Sequence, residues 1–254
     1  MAPAVARADD TALLDRFRPV YVHDARERDP VAGVADSPPA SYGRAVAAPA
    51  GGRWLQYWRW HESNRQDRGV LRTGRHAGDW ELVQVRVDRG EQPVEAVYAQ
   101  HSGGERCGWP EVRTRGDAPV AYLANGSHAA YFRPGVRDRT FPDPNDEAGG
   151  KGSVIRPRLV VIAADLPSWM RFTGRWGASR ARMPFEQSSP RGPAFQGVRW
   201  RDPAAFAASA RSCMAGRCNE VGECDWRESA LAAGAIGAAV LLAGVVVWRR
   251  RRRA

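Results

Sequence analysis

Short runs rich in Val, Tyr and Trp recur along the middle of the chain, at residues 54–60, 80–87, 94–100, 120–123 and 154–163, each bounded by Gly, Pro, Asp or Asn. Runs of this kind predict strands. In the run at 80–87, apolar Leu82, Val83, Val85 and Val87 are interleaved with polar Gln84 and Arg86. The tail alternates with period two, which predicts a half-buried strand. No helical run of a dozen residues separates the strands, so the pattern favours an all-β, antiparallel β-sandwich over a parallel α/β sheet. Short helices are predicted at 10–17 and 202–211, the second with Asp202 as cap ahead of Pro203. Residues 30–53 read as loop, 133–153 as a long polar loop, and 174–203 as irregular structure packed on the sheet.

The pattern changes at the C-terminus. Residues 230–248 carry no charge, and at 1.5 Å rise each they span roughly 28 Å, close to the hydrocarbon thickness of a bilayer. Trp226 and Trp248 bracket this stretch, and five arginines at 249–253 follow it directly. It shows no amphipathic face, so a transmembrane helix is expected at 229–248. The positive-inside tendency then places the tail 249–254 in the cytoplasm and a domain at 9–208 outside, as a single-pass protein of the cell membrane. Residues 209–228 become a cysteine-bearing juxtamembrane stalk. Residues 1–8, which end in an A-x-A-like stretch before Asp9 and Asp10, read as the remnant of a signal peptide whose start lies upstream. A tail-anchored protein with a cytoplasmic domain is the competing expectation, but it would send five arginines across the membrane.

Cys107 lies far from Cys213, Cys218 and Cys224. Their spacings do not match paired zinc knuckles, so disulfides in an oxidising compartment are expected, with the pairing open. The formal net charge is +10, half of it from the terminal arginine run, and Lys151 is the one lysine among 38 basic residues. The arginines are scattered and belong to no nucleic-acid module, so no nucleic-acid partner is expected.

Candidate chemistry gathers around residues 76–81. Gly78 permits a turn after His76, and Asp79 and Glu81 sit two apart on an entering strand, so both side chains leave one face while Trp80 leaves the other. Two carboxylates on one face repel unless a cation or proton lies between them. A divalent ion resolves this: Ca, Mg or Mn suits the carboxylates, and the histidine admits Zn. His101 and His128 stand at strand ends, where the sheet could bring them beside His76. A serine-nucleophile site has little support: Ser102 and Ser127 each adjoin a histidine in sequence, and neither sits in a G-x-S-x-G elbow. Phosphate-cradling and dinucleotide glycine motifs are absent, so no cofactor-binding residues are named.

Four blocks in order, HAGDWELVQVRVD, VYAQHSGGERCGWPEV, PVAYLANGSHAAYFRPG and WMRFTGRWG, resemble the vacuolar protein sorting-associated protein 62-like family across about residues 54 to 203. More distantly, residues 75–81 are similar to the GHRHDWE hallmark of the necrosis- and ethylene-inducing peptide-like proteins. Those are β-sandwiches that bind a divalent cation and recognise glycosylated sphingolipid headgroups. The resemblance implies metal ligands at His76, Asp79 and Glu81, with Asp67 as a further candidate. Gly78 stands where the hallmark has its second histidine, and the expected anchor is foreign to those secreted toxins, so cytolytic activity is not implied. The leading expectation is a membrane-anchored, cation-dependent module for a polar glycan or lipid headgroup, with Trp58, Trp60 or Trp109 available to stack on sugars. The alternatives are a metal-assisted hydrolase of glycan, phosphoester or lipid bonds using His101 or His128 as base, and a structural surface protein without a small ligand. The balance leans against an enzyme, so no catalytic residue is assigned outside the hydrolase alternative.

Overall fold

The computed structural model describes residues 8–213 apart from 35–36, 67–73, 138, 140–142, 163–164 and 183–185. Asp67, Cys218, Cys224 and the predicted membrane helix at 229–248 lie outside the described residues. Among the described residues, no helix is long and apolar enough to cross a membrane.

Helix α1 (Ala8–Arg16) is followed by β1 (Val20–Val22), β2 (Ala40–Ala47), β3 (Arg53–Asn64), β4 (His76–Val87), β5 (Pro93–Gln100) and β6 (Gly103–Gly108). Shorter strands come next: β7 (Thr114–Arg115), β8 (Ala118–Leu123), β9 (Ala130–Tyr131), β10 (Gly135–Arg137), β11 (Asp146–Ala148), β12 (Val154–Ile155) and β13 (Arg158–Val161). The described chain closes with α2 (Val198–Arg201), α3 (Pro203–Ser209) and β14 (Arg211–Ser212).

Seven strands form one sheet in the order β13-β2-β3-β4-β5-β6-β14. A second sheet runs β12-β1-β8-β7, with β9 also on β8, and β10 pairs with β11. The fold is mostly β, as expected, but the sheets are mixed rather than antiparallel. Strand β13 runs parallel to β2, β14 to β6, and β1 to β8. The missing crossover helices did not exclude these pairs, because each joins segments far apart in sequence, and a parallel pair needs only a long connection.

The central sheet is covered on both faces. Leu55, Tyr57, Val83, Val85 and Tyr98 face Tyr21, Ala121 and Leu123 of the second sheet and Phe132 just beyond β9, with Leu13 and Leu14 of α1 and Phe17 after it completing this core. On the other face Tyr42, Trp54, Trp58, Trp80, Leu82 and Val97 pack under Met170, Phe206 and Ala207. The expectation of a half-buried β4 is therefore wrong. Gln84 is fully buried: its amide and that of Gln56 bond to each other and to the carbonyls of Pro203 and Arg199. The C-terminal segment caps this face and satisfies the two glutamines, so a polar residue at an outward position is not solvated.

Of the tryptophans offered for stacking on sugar, Trp58 serves the core, while Trp60 and Trp109 pack against it and stay partly exposed. Trp58 is fully buried, Trp60 lies against Trp80 at 5.1 Å, and Trp109 packs edge-on to Phe17 at 5.8 Å. The expected loop at 30–53 contains β2, whose Ala, Ser and Gly residues gave no strand signal but whose backbone is paired on both sides. The polar loop at 133–153 holds the pair β10–β11. The run at 154–163 divides between two sheets as β12 and β13, where Pro157 interrupts it. The predicted cap is present: Asp202 accepts from the Ala205 amide and Pro203 opens α3.

Cys107 on β6 and Cys213 form a disulfide with Cα atoms 5.2 Å apart, which selects one pairing from those left open. The chain thus stays attached to the central sheet through Cys213, by both β14 and the disulfide.

Candidate functional site

The site is built where β3 and β4 pair deep in the molecule. Register places His61 opposite Asp79, Arg59 opposite Glu81, and Asn64 opposite His76. Residues opposite one another in a ladder share a face. Asp79 and Glu81 therefore lie on the same face as Val83 and Val85, towards the second sheet, while Trp80 joins the aromatic cluster on the reverse. Both carboxylates are buried.

The loop after β8 brings His128 onto this face. Its backbone is left-handed, with φ 57, a conformation that non-glycine residues seldom adopt. Nδ1 lies 3.1 Å from Asp79 Oδ2, and the same oxygen accepts from Asn64 at 3.1 Å. Nε2 lies 3.7 Å from Glu27 Oε2, an ion pair longer than a hydrogen bond. The ring stacks on His61 at 3.7 Å with the planes 6° apart. Arg59, fully buried, donates to the carbonyl of His128, lies 4.0 Å from Glu81 Oε2, and covers the Tyr21 ring.

Charge in this cluster is set by burial against pairing. Burial alone would deprotonate His128, but the hydrogen bond to Asp79 and the charges of Asp79 and Glu27 raise it to about 9. Burial pushes His61 well below its ordinary value, reinforced by the charges of His128 and Arg59, so it is the neutral partner of the stack. Burial would lift Glu27, yet His128 and the amides of Gly126 and Asp29 hold it well below the carboxylate range. Glu81 goes the other way: burial, then the charge of Asp79, raises it to about 8. Its Oε2 has no hydrogen-bond partner, nor have Nε and Nη1 of Arg59 or Nε2 of His61. So many unpartnered polar atoms in one buried cluster require an explanation such as water or an ion.

His76 is buried, and its Nδ1 lies 2.8 Å from the carbonyl of Gly78. That contact makes Nδ1 the proton-bearing nitrogen in the neutral ring, so Nε2 carries the lone pair of a metal ligand. Gly78 has φ +73, and a Cβ there would lie 2.0 Å from the Trp176 carbonyl oxygen. Gly78→Ala is expected to destabilise the domain by about 2 kcal/mol or more, measured by urea denaturation, because both backbone strain and a backbone clash oppose it.

The structure brings together Asp79, Glu81 and His128, and it separates His101. Among the described residues, Cys107, Glu111 and Cys213 are the one trio of candidate donors within 4.8 Å of one another, and their sulphurs are joined in the disulfide. His76, Asp79 and Glu81 do not converge as tightly. Their chemistry is of the kind a hydrated divalent cation takes: two buried carboxylates on one face, one with an oxygen that accepts no hydrogen bond, and an imidazole with its tautomer fixed.

His101 instead reaches Asp146, at 2.6 Å from Nε2 to Oδ2. Asp146, wholly buried, also accepts from Ser127, Tyr131 and Gln66. Burial opposes its ionisation, but His101 and the other donors lower it from 3.8 to about 2. A carboxylate depressed in the folded state contributes stability that is present above its ordinary value and lost as pH falls. The domain should therefore lose on the order of 2 kcal/mol from this residue between about pH 5 and pH 2. Asp146→Asn removes that part of the acid dependence in a denaturation series. Glu27, Arg59 and Asp146 carry no motif that could have marked them in the sequence. Their roles arise from long-range packing of β3 against the loops that hold them.

The family model described as vacuolar protein sorting-associated protein 62 matches residues 67–181, which take in His76, Asp79, Glu81, His101 and His128. The resemblance read from the sequence holds over that span. The structural neighbours are toxin-fold proteins of the necrosis- and ethylene-inducing peptide-like group. "NLPPya in complex with glucosamine" matches at 16% identity and a TM-score of 0.45, over 77% of this chain and 90% of that one. "Toxin fold for microbial attack and plant defense" matches at 16% identity and a TM-score of 0.41, over 63% and 76%. "Crystal structure of non-toxic HaNLP3 protein" matches at 16% identity and a TM-score of 0.40, over 62% and 76%. No curated protein matches the chain.

Proposed function

We propose that this domain is a divalent-cation-dependent binding module for a polar glycan or lipid headgroup, held at the cell surface by an anchor at 229–248. The observation that carries the reading is the buried pair Asp79 and Glu81, on one face of β4, with no hydrogen bond to Glu81 Oε2, whose nearest cation, Arg59, stands 4.0 Å away. His76, Asp79 and Glu81 would hold the cation, with Asp67 as a further candidate. Bound there, the cation would offset the repulsion between the carboxylates and accept hydroxyl or phosphate oxygens of a ligand. Arg59 and His128 limit the negative charge of the pocket, which favours a weakly held, hydrated ion over a tightly caged one.

The test is binding of the full chain in detergent to glycan arrays and to vesicles of defined headgroup. Binding that disappears with a chelator and in Asp79→Asn supports the reading. Binding that neither treatment changes removes the cation from it.

A structural knot without a ligand is the competing reading. It is favoured by His128, which already engages Asp79 and Glu27 from its two nitrogens. In that case a chelator leaves thermal stability untouched.

A further inference from the structure

His101 differs from the other histidines. His23, His61, His76 and His128 are buried, whereas the His101 side chain is 25% exposed and lines an open polar groove of about 530 Å³. Its backbone has φ 45, a left-handed conformation that costs a non-glycine residue on the order of 1 kcal/mol. Arg199 holds it there by donating to the carbonyls of His101 and Gly103. Strain of this kind, locked by neighbours, collects at sites of chemistry.

Asp146 fixes the ring. It is buried, it accepts four hydrogen bonds, and as a carboxylate it can only accept. His101 Nε2 must therefore carry the proton, and in the neutral ring Nδ1 is the basic nitrogen. A histidine whose tautomer and orientation are set by a buried carboxylate is the arrangement of a general base.

Charge in the groove indicates the ligand. Arg139 pairs with Asp143 at 2.9 Å, and Arg137 lies 3.9 Å from Glu105. Arg211, also lining the groove, is exposed and engaged by no acid among the described residues. One spare guanidinium in the same groove as one base fits a substrate bearing a single negative charge.

We propose that this groove hydrolyses phosphodiesters, with His101 as general base and Arg211 pairing with the non-bridging oxygens. Water gives a proton to His101 Nδ1 as its oxygen bonds to phosphorus. The phosphorus–oxygen bond on the side opposite the attack breaks; the departing alkoxide takes a proton from solvent, and His101 releases its own proton to solvent. The products are a phosphomonoester and an alcohol. His76, Asp79 and Glu81 take no part, so this step and the cation-dependent binding reading stand or fall separately.

The test uses the full chain in detergent with bis(p-nitrophenyl) phosphate, following release of p-nitrophenol. His101→Gly suits the left-handed backbone at this position and leaves space for added imidazole. The expected result is turnover by the wild type, a loss of about 100-fold or more in His101→Gly, partial rescue by imidazole, and a raised KM at near-constant kcat in Arg211→Gln. Arg16→Met, at an exposed pair with Asp117 outside both sites, should retain the rate. Absence of turnover in the wild type overturns the proposal. So does turnover that survives in His101→Gly, or a loss there that imidazole does not rescue, which would make His101 a structural latch on Asp146.

Discussion

Arg59→Met is expected to destabilise the domain by about 3–5 kcal/mol, read from the urea midpoint of the full chain. Arg59 is fully buried among Glu81, His128 and Tyr21. A buried ion pair adds little net stability when intact, because desolvation offsets attraction. Removing one partner is costly, because it strands the other charges. Here Glu81 and Asp79 would lose a nearby cation and the His128 carbonyl would lose its donor. Adding Glu81→Gln to Arg59→Met should recover part of the loss, since the two residues belong to one network. Arg16→Met is the contrast. Its pair with Asp117 is short, at 2.9 Å, but the two side chains are 38% and 54% exposed. It should change stability by no more than about 1 kcal/mol. Geometry alone would rank these two pairs the other way, and burial decides between them.

Reduction of Cys107–Cys213, or its replacement by serines, is the second large effect expected. The bond closes a segment of 106 residues, and loop closure on that scale is worth about 4–5 kcal/mol in the chain-entropy account. Losing it costs about 2–5 kcal/mol in practice, or roughly 10 °C in Tm for a domain of this size. The bond also anchors the edge strand β14 against β6, through two residue pairs and the bond from the Cys213 amide to the Arg106 carbonyl. Reduction should therefore expose this edge first. Hydrogen exchange at residues 103–108 would rise before exchange at 76–87 in the sheet centre. Uniform exchange across both segments would show that the disulfide acts through the whole domain rather than through this edge.

The sequence made the centre of the fold legible and its margins obscure. Strands β3, β4 and β5 announce themselves through Trp, Tyr and Val, because burial between two layers demands bulky residues. Strand β2 is missed because its Ala, Ser and Gly pack where α1 and Leu159 approach closely: a Cβ on Gly43 would lie 2.7 Å from Leu159. Strand β6 is missed because Gly103, Gly104 and Gly108 leave few side chains to read. Both are recruited by pairing, which composition does not record. At the site, alternation was enough to place Asp79 and Glu81 on one face and Trp80 on the other. It also led to a false inference at Gln84, where polarity indicates hydrogen bonding under a covering segment rather than exposure. The two remaining histidines divided. His128 joined Asp79, whereas His101 turned to Asp146, a residue in a loop read only as polar. Local pattern carries no information about which loop folds over which strand end.

The pH behaviour of the buried cluster follows from the same burial. His128, raised to about 9, contributes stability that is complete below its ordinary range and lost as pH rises through about 9. Glu81, raised to about 8, opposes folding increasingly as pH rises from 4.5 towards 8, because the unfolded chain releases the proton first. A cation beside Glu81 would reverse that second trend, since it favours the ionised carboxylate.

The most direct test of the central claim is metal analysis of the purified full chain beside an Asp79→Asn, Glu81→Gln double variant, after dialysis against calcium, magnesium or manganese. Divalent metal is expected to bind the parent saturably, approaching one ion per chain only at high free ion, and not to bind the variant. Metal-free protein in both, with both still folded, would contradict the claim and leave His76, Asp79 and Glu81 as parts of a hydrogen-bonded core.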